Sequence, residues 1–494
     1  MMARTAAAID LGAESGRVML AHFDGESLTL KEVHRFPNRP VMVRGHRFWN
    51  ILALWDESLA GLRKARQEAG TLDSVGIDTW GVDYALVNSR GILRSLPFHY
   101  RDHRTDGVLE RICARVSRED IYAHTGIQFM PINTLVQLFA HNEQLPGDLE
   151  RAYRLLLIPD LLQSWLSGEL VSERTNASTT QCWNPIAGHW ATDLLQQLGI
   201  PVGMLPPVVE PGTVLGGALP EVQRDLGAVR VIAPATHDTG SAIAAAPASH
   251  VSGWAYISSG TWSLVGAELP RPIMSAEALS ANWTNEGGVF GTTRFLKNVM
   301  GLWLLQECQR AWTREPGAMD YDTLLASTDD VPAHAALIDP DDPRFLAPDD
   351  MPDTINGYLR EHGQPPLQSP AAFARCIMES LVLRYCQVLY QLERLTGTSI
   401  RVVHVLGGGA RNERLNQWLA DACGRPVVAG PVEATALGNA LMQLVGMGEL
   451  RTLSELRTIA RRMPTRVFTP RPDHQGLWDE AAARFGALNA AQSS

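Results

Sequence analysis

Cysteine is scarce and scattered in this chain. Its six residues, Cys113, Cys182, Cys308, Cys376, Cys386 and Cys423, form no Cys-x-x-Cys pair and have no clustered His partners. That pattern argues against a structural zinc site and suits thiols kept reduced inside the cell. Long apolar runs are missing too, since no uninterrupted stretch approaches membrane-spanning length. Ala6–Ile9 leads straight into Asp10, without the cleavage pattern of a secretory leader. The expected setting is cytoplasmic, with no membrane partner. Positive charge is also short, with 43 Lys and Arg against 53 Asp and Glu and a net charge of −10. A nucleic-acid partner is therefore not expected.

Three well-known signatures are absent as well. No Gly-x-x-x-x-Gly-Lys-Ser/Thr occurs, which excludes the P-loop class. Gly407-Gly408-Gly409 follows an apolar run, but Asn412 stands where a dinucleotide fingerprint needs its last glycine. Gly12-Ala13-Glu14-Ser15-Gly16 does not match the Gly-x-Ser-x-Gly nucleophile elbow.

What the chain does have is length and glycine turns. A chain of 494 residues, 45% hydrophobic and 19% charged, exceeds what one core supports, so at least two domains are expected. Two short apolar runs each end in a glycine turn. The first is Ile9-Asp10-Leu11-Gly12-Ala13-Glu14-Ser15-Gly16-Arg17, and the second is Ile257-Ser258-Ser259-Gly260-Thr261-Trp262. Backbone N–H groups in such turns can converge on phosphate oxygens. Two of them, half a chain apart and flanking His237-Asp238-Thr239, suggest two lobes closing on a nucleotide.

The first ninety residues alternate between strand and turn. Strands are expected at 5–11, 17–23, 28–36, 74–79 and 84–87, with a helix over 49–68 whose inner face carries Leu52, Trp55, Leu59 and Leu62. In the second half, the expected strands are 254–257, 262–267, 402–406 and 427–429. Helices are expected at 295–309, 373–395, 410–423 and 434–446. The Pro- and Gly-rich stretches 201–219 and 339–370 read as loops. A domain boundary is expected near Ala245–Ser252, giving domains of 1–246 and 247–494.

Several residues could carry chemistry. Asp10, at a strand end before a glycine turn, can hold Mg²⁺ beside phosphates or simply cap the turn. Asp238 can take a proton from a hydroxyl attacking a phosphate or start the helix 239–246 as its cap. The Trp80-Gly81-Val82-Asp83 turn offers an indole wall and a carboxylate, a combination suited to a sugar, or it is a hairpin with a packed Trp. Asn298 and Gln306, eight apart on the expected helix, can face one side together. The charged loop Tyr100-Arg101-Asp102-His103-Arg104-Thr105-Asp106 reads as salt-bridged surface.

Taken together, the strings resemble those of the FGGY family of carbohydrate kinases over nearly the whole length. The carriers include Asp10-Leu11-Gly12-Ala13-Glu14-Ser15-Gly16-Arg17, Asp78-Thr79-Trp80-Gly81-Val82-Asp83 and Ser259-Gly260-Thr261-Trp262. They also include Asn285-Glu286-Gly287-Gly288, Leu296-Lys297-Asn298-Val299-Met300-Gly301-Leu302-Trp303, Gly407-Gly408-Gly409-Ala410-Arg411-Asn412 and Glu433-Ala434-Thr435-Ala436-Leu437-Gly438-Asn439. The Asp-Thr-Trp-Gly-Val-Asp and Leu-Lys-Asn-Val-Met-Gly-Leu-Trp strings are similar to the branch acting on L-rhamnulose.

The resemblance implies an α/β fold of two actin-like (ribonuclease H-like) ATPase lobes around an interlobe cleft. The N-terminal lobe would hold the sugar and the first phosphate loop, and the C-terminal lobe would hold the nucleotide. It implies ATP-dependent phosphorylation of the 1-hydroxyl of L-rhamnulose, with ATP and Mg²⁺ required and a monomer or homodimer as the working form. Asp10 would hold the metal. Ala13, Glu14, Ser15, Gly16 and Arg17 would cradle phosphates, with Thr261, Gln306 and Gly408 completing the ATP site. Asp238 would be the general base, and Trp80, Gly81, Asp83, His237, Thr239 and Asn298 would meet the sugar. Ala13 stands where many family members carry Thr, and Glu14 brings a carboxylate close to the polyphosphate. A kinase for another ketose, such as L-fuculose or xylulose, shares the nucleotide motifs. An actin- or Hsp70-like nucleotide switch shares the fold, but it needs neither a sugar wall nor a base.

Overall fold

The computed structural model describes residues 2–249, 252–313 and 319–491, so two positions of the expected boundary stretch, 250 and 251, lie outside the described residues. The chain forms two compact units. The first combines Met1–Ser249 with Glu268–Leu296 and Glu433–Met463, and the second combines His250–Ala267, Lys297–Val432 and Pro464–Ser494.

The first unit is built on a six-stranded sheet. Its strands lie in the order Thr213–Gly217, Arg230–Ala233, Ser74–Thr79, Arg4–Leu11, Ser15–Phe23 and Leu28–Pro37. Three neighbours, Arg230–Ala233, Ser74–Thr79 and Arg4–Leu11, are parallel, and the register sets Asp10 directly opposite Asp78. Ala6, Ala7, Ala8, Ile9, Val75, Ile77, Val231 and Ile232 are all buried, as expected of central strands covered on both faces.

One cover is the helix Ala434–Gly446. Its polar residues point inward: Asn439 Nδ2 donates to Asp78 Oδ2 at 2.6 Å, and Gln443 Nε2 donates to the Ala7 carbonyl at 3.0 Å. Gly438 explains how closely this helix meets Asp238–Ala244, because a Cβ there would lie 1.8 Å from the Ser241 carbonyl oxygen.

The helix Ile51–Ala69 exists where expected, capped by the Asn50 side chain, but its inner face differs from the expected one. Ile51, Leu54, Ser58, Leu62 and Ala65 are buried, whereas Leu52 is 59% exposed. Gly61 decides this rotation. Its bare backbone rests on Val18, so close that a Cβ would sit 2.3 Å from a Val18 methyl.

The second unit carries the strands Trp262–Leu269, Trp254–Ser259, Val402–Leu406, Val427–Ala429 and Arg466–Phe468, neighbours in that order. The central pairs 254–259/402–406 and 402–406/427–429 are parallel. The long helix Pro370–Thr396 belongs to the same unit and has fifteen buried residues, among them Phe373, Ile377, Leu381 and Leu389.

Three expectations need correction. The segment 295–309 is not one helix: Thr293–Met300 is a strand, paired through its first residues with Thr284–Gly287, and the helix is Trp303–Trp312. Phe295 and Leu296 are both fully buried, so the run lacks the alternation that marks a half-exposed strand. The stretches 201–219 and 339–370 contain ordered elements, namely the strands Val208–Val209 and Thr213–Gly217 and the helix Met351–Glu361. The charged loop is not surface either. Tyr100, Arg101, Asp102, Arg104 and Thr105 are buried, and Asp102 accepts from the backbone of Arg47 and Arg104.

Candidate active site

In the first unit, three parallel strands end side by side, and each hands the chain to a turn carrying a candidate residue. Open α/β sheets bind ligands at such carboxyl ends. Asp10 closes the first strand, Asp78-Thr79 the second, and the third leads into Thr236-His237-Asp238. Thr79 and His237 form a bridge, with the Thr79 N–H donating to the Thr236 carbonyl at 2.9 Å. The Asn176 amide reaches both the Trp80 and the Thr236 carbonyls, tying the two turns together.

The first glycine turn is shaped by its own backbone. Gly12 N–H donates to the Ser15 carbonyl at 2.9 Å, and Asn38 braces the outside by donating to the Gly12 and Glu14 carbonyls. Ala13 and Glu14 lie in the turn, while Ser15, Gly16 and Arg17 already belong to the next strand. Arg17 points back at the strand ends. Its guanidinium donates to Asp10 Oδ2 at 2.7 Å and 2.9 Å and pairs with Glu433. Burial opposes its charge, but Asp10 and Glu433 hold it firmly protonated.

Beneath this pair lies Asp78, fully buried, whose carboxyl burial pushes well above the ordinary range, with Asp10 and Asp238 adding to the rise. Its Oδ1 has no hydrogen-bond partner among the described residues. Asp78 and Glu433 are not among the candidates read from the sequence. Both sit inside strings quoted there, and a carboxylate within an apolar strand such as Val75–Thr79 is the available signal.

Asp238 begins the helix Asp238–Ala244, with His237 rather than Asp238 at the cap position. Among the described residues its carboxylate accepts only from the N–H and hydroxyl of the adjacent Thr239, and its side chain is 31% exposed. Its recessed position raises the carboxyl above the ordinary value, and the Asp10 charge adds to this. The His237 ring lies beside it, Nε2 to Oδ1 at 3.4 Å, while Thr239 is buried.

The Trp80–Asp83 turn is strained. The Asp83 N–H bonds to the Gly81 carbonyl at 2.9 Å, closing a three-residue turn around Val82, a β-branched residue at φ +67°. The Thr134 hydroxyl on the Val82 carbonyl and the Thr179 hydroxyl on its N–H hold it in place. Strain that neighbours over-determine in this way clusters at functional sites.

The Asp83 carboxylate faces inward. It accepts from Trp49 Nε1 at 2.6 Å, Trp80 Nε1 at 3.0 Å, Gln137 Nε2 at 2.9 Å and the Tyr100 N–H at 3.3 Å. Burial pushes its carboxyl up to about 6, against the pull of Gln137, Trp49 and Trp80. Trp80 packs on Trp49, centroids 3.9 Å apart, and Trp49 stacks on His99. Trp49, His99 and Gln137 do not stand out in the sequence because they lie far from the turn along the chain.

In the second unit, the parallel strands 254–259 and 402–406 end together, so the turns at Gly260-Thr261 and Gly407-Gly408 are neighbours. Gly408 is exposed, with open space where a Cβ would be. The Trp303 N–H donates to the Thr261 carbonyl at 3.1 Å, fastening the helix that carries Gln306 to this turn. Thr261, Gly408 and Gln306 thus share one end of the sheet. Asn298 is partly exposed on the strand 293–300, not on the helix of Gln306.

Known proteins agree with this architecture. The FGGY N-terminal domain of carbohydrate kinases matches residues 5–244, and the FGGY C-terminal domain matches 255–447. A rhamnulokinase of Pectobacterium atrosepticum is 46% identical, covering 99% of this chain and 97% of its own length. One of Bacteroides thetaiotaomicron is 42% identical, covering 97% and 98%. Among solved structures, a gluconate kinase and a xylulose kinase from Lactobacillus acidophilus each superpose with a TM-score of 0.81 at 15% identity. They cover 100% and 99% of this chain, and 99% of their own chains. No described helix is long and apolar enough to cross a membrane. The chain belongs to the FGGY family of carbohydrate kinases, and it is an ATP-dependent sugar kinase with the actin-like α/β fold of that family.

Proposed function

We propose that this kinase transfers the γ-phosphoryl group of ATP to the 1-hydroxyl of L-rhamnulose, with Asp238 as general base. The observation that carries the role of Asp238 is its availability. Among the described strand-end carboxylates, Asp238 accepts hydrogen bonds only from its neighbour Thr239, has the His237 ring at 3.4 Å, and remains partly exposed. A raised carboxyl is a better proton acceptor than an ordinary one, which suits a group that must take a hydroxyl proton as the oxygen attacks. The choice of ketose is supported by the curated rhamnulokinases that match over nearly the whole chain at 42–46% identity.

In this reading the sugar lies against Trp80, Gly81, Asp83, His237, Thr239 and Asn298. Asp83 shapes that site by holding Trp80 in place. Ala13, Glu14, Ser15, Gly16, Arg17, Thr261, Gln306 and Gly408 meet ATP, so the N-terminal domain (1–246) serves the sugar and the first phosphate loop, and the C-terminal domain (247–494) serves the nucleotide. The enzyme works in the cytoplasm as a monomer or homodimer.

The residues at the strand ends also fit Mg²⁺. Asp10, Asp78 and Glu433 are hard oxygen donors, and the buried Asp78 Oδ1 has no hydrogen-bond partner among the described residues. Bound there, Mg²⁺ would neutralise charge on the phosphates. The chain's own part is to position: Arg17 keeps the carboxylates of Asp10 and Glu433 together, and the Gly12 N–H closes the glycine turn on the Ser15 carbonyl. A panel of ketoses assayed for ATP-dependent phosphorylation tests the proposal. L-rhamnulose should give the highest kcat/KM, and a better turnover of L-fuculose or xylulose would overturn the substrate assignment. ATP hydrolysis unaffected by any ketose would point instead to a nucleotide switch.

A further inference from the structure

We infer that Arg294 is a positioning residue that fixes the tautomer of His237 and thereby the direction of the hydrogen bond that His237 offers at the acceptor sugar. The inference rests on the placement of His237 and Asp238 in the phosphoryl-transfer site. Arg294 belongs to the strand 293–300 and is completely buried, an unusual place for a guanidinium. Its Nε donates to the Gly287 carbonyl at 2.8 Å and its Nη2 to the Thr175 carbonyl at 3.3 Å. Nη2 also lies 3.0 Å from His237 Nδ1. On its other side, Nη1 pairs with Glu286 Oε2 at 3.0 Å.

A guanidinium has donors only. The nitrogen it meets must therefore carry a lone pair, so His237 Nδ1 is unprotonated and the ring proton sits on Nε2. Glu286 Oε2 also approaches Nδ1, at 3.4 Å, and would favour the opposite tautomer. Arg294 prevails because it is closer to Nδ1 and meets it in hydrogen-bonding geometry, whereas Glu286 Oε2 makes no hydrogen bond among the described residues. Burial alone would raise the Glu286 carboxyl, but the charge of Arg294 beside it holds it below the usual range.

The consequence lies on the other side of the ring. Nε2–H faces Asp238 Oδ1 at 3.4 Å and the space in front of it. A hydroxyl meeting both residues must accept from His237 and donate to Asp238, which orients its proton toward the base. The opposite tautomer would turn a lone pair toward the Asp238 carboxylate, and the hydroxyl proton would then have two competing acceptors. The hydrogen bond made at one ring nitrogen commonly sets the state of the other in this way.

The test compares Arg294→Lys, Arg294→Met and the double variant Arg294→Met/Glu286→Gln in the full-length enzyme. Two-bond ¹H–¹⁵N spectra of ¹⁵N-histidine-labelled protein, with His237 assigned by its loss in His237→Asn, report the tautomer directly. Arg294→Lys keeps a donor-only cation and should keep the Nε2–H form. Arg294→Met leaves Glu286 as the sole partner of Nδ1, so the ring should switch to Nδ1–H and kcat should fall about 10- to 100-fold, with the KM for ATP unchanged. In the double variant, the amide introduced by Glu286→Gln can again donate to Nδ1, which should restore the Nε2–H form and much of kcat. An Nε2–H ring in Arg294→Met would overturn the inference, as would a loss of kcat that Glu286→Gln does not relieve. A switched tautomer with full turnover would overturn the role of the tautomer, while leaving the role of Asp238 to its own variant.

Discussion

Asp83 and Asp238 follow strands of the same sheet, yet they stand in opposite situations. Asp83 is buried and saturated, its two oxygens accepting from two indoles, an amide and a backbone N–H. Asp238 is 31% exposed and, among the described residues, is hydrogen-bonded only to Thr239, with the His237 ring beside it at 3.4 Å. A carboxylate surrounded by donors is a structural acceptor, and removing it strands every donor. A carboxylate without outside partners is free to meet something that arrives. Residue type, local sequence and neighbouring glycine do not separate the two, and in sequence both are expected to serve the substrate.

The sharpest way to break this comparison is Asp238→Asn. The change keeps size and hydrogen bonding but removes proton acceptance, so turnover should fall by ~10²–10⁴-fold. The melting temperature should barely move, because no distant donor loses a partner. Near-normal turnover in single-turnover assays would reduce Asp238 to a helix residue.

Asp83→Ala should show the converse pattern. Two indole N–H groups, the Gln137 amide and the Tyr100 N–H lose their acceptor, which should destabilise the fold by about 3–5 kcal/mol, as for other groups that break a buried charged network. Urea denaturation measures this. If stability is unchanged and only the KM for L-rhamnulose rises, Asp83 is a substrate acceptor after all and the contrast fails.

Asp10→Ala removes one of the two carboxylate partners of Arg17, leaving Glu433. Losing a charge-assisted contact costs ~1.5–3 kcal/mol, so Mg²⁺-ATP should bind roughly ten- to a hundred-fold more weakly, while sugar binding without nucleotide stays the same. Calorimetric titration of each ligand reads both, and an unaltered Mg²⁺ dependence would remove Asp10 from the metal site.

The smallest effect concerns a third carboxylate, Asp160, which is buried with one oxygen unpartnered among the described residues. Burial raises its carboxyl well above the ordinary value, so the folded state keeps a proton that the unfolded chain releases near pH 4. Its contribution to stability is therefore complete below that pH and is lost as pH rises through the folded value. Asp160→Asn, which cannot ionise, should gain stability relative to the parent as pH rises above about 4. A relative stability constant over that range would show that Asp160 is ionised in the fold.

Much of the fold is legible in the chain. The strands at 4–11, 74–79, 254–259 and 402–406 are compact apolar runs closed by turn-forming residues, and local chemistry is enough to mark them. The part of the strand from 295 to 300 reads as helix because burial on both faces erases its strand period. The inner face of the helix 51–69 is misleading in sequence because Gly61, with no side chain to count, sets the rotation.

The site divides in the same way. Asp10, Asp238 and the glycine turns announce themselves because each needs its neighbours in sequence: a strand end, a helix start, a bare backbone. Asp78, Glu433, Arg294, Glu286 and Gln137 do not, because their meaning lies in partners brought close by sheet register and helix packing. Asp10 faces Asp78 only through the parallel pairing of two strands. Arg294 reaches His237 across 57 residues. Sequence alone determined which turns could hold phosphate and which carboxylates stood at strand ends. Tertiary structure decided which carboxylate is free and which way the histidine proton points, because hydrogen-bond saturation depends on atoms that approach in space from anywhere along the chain.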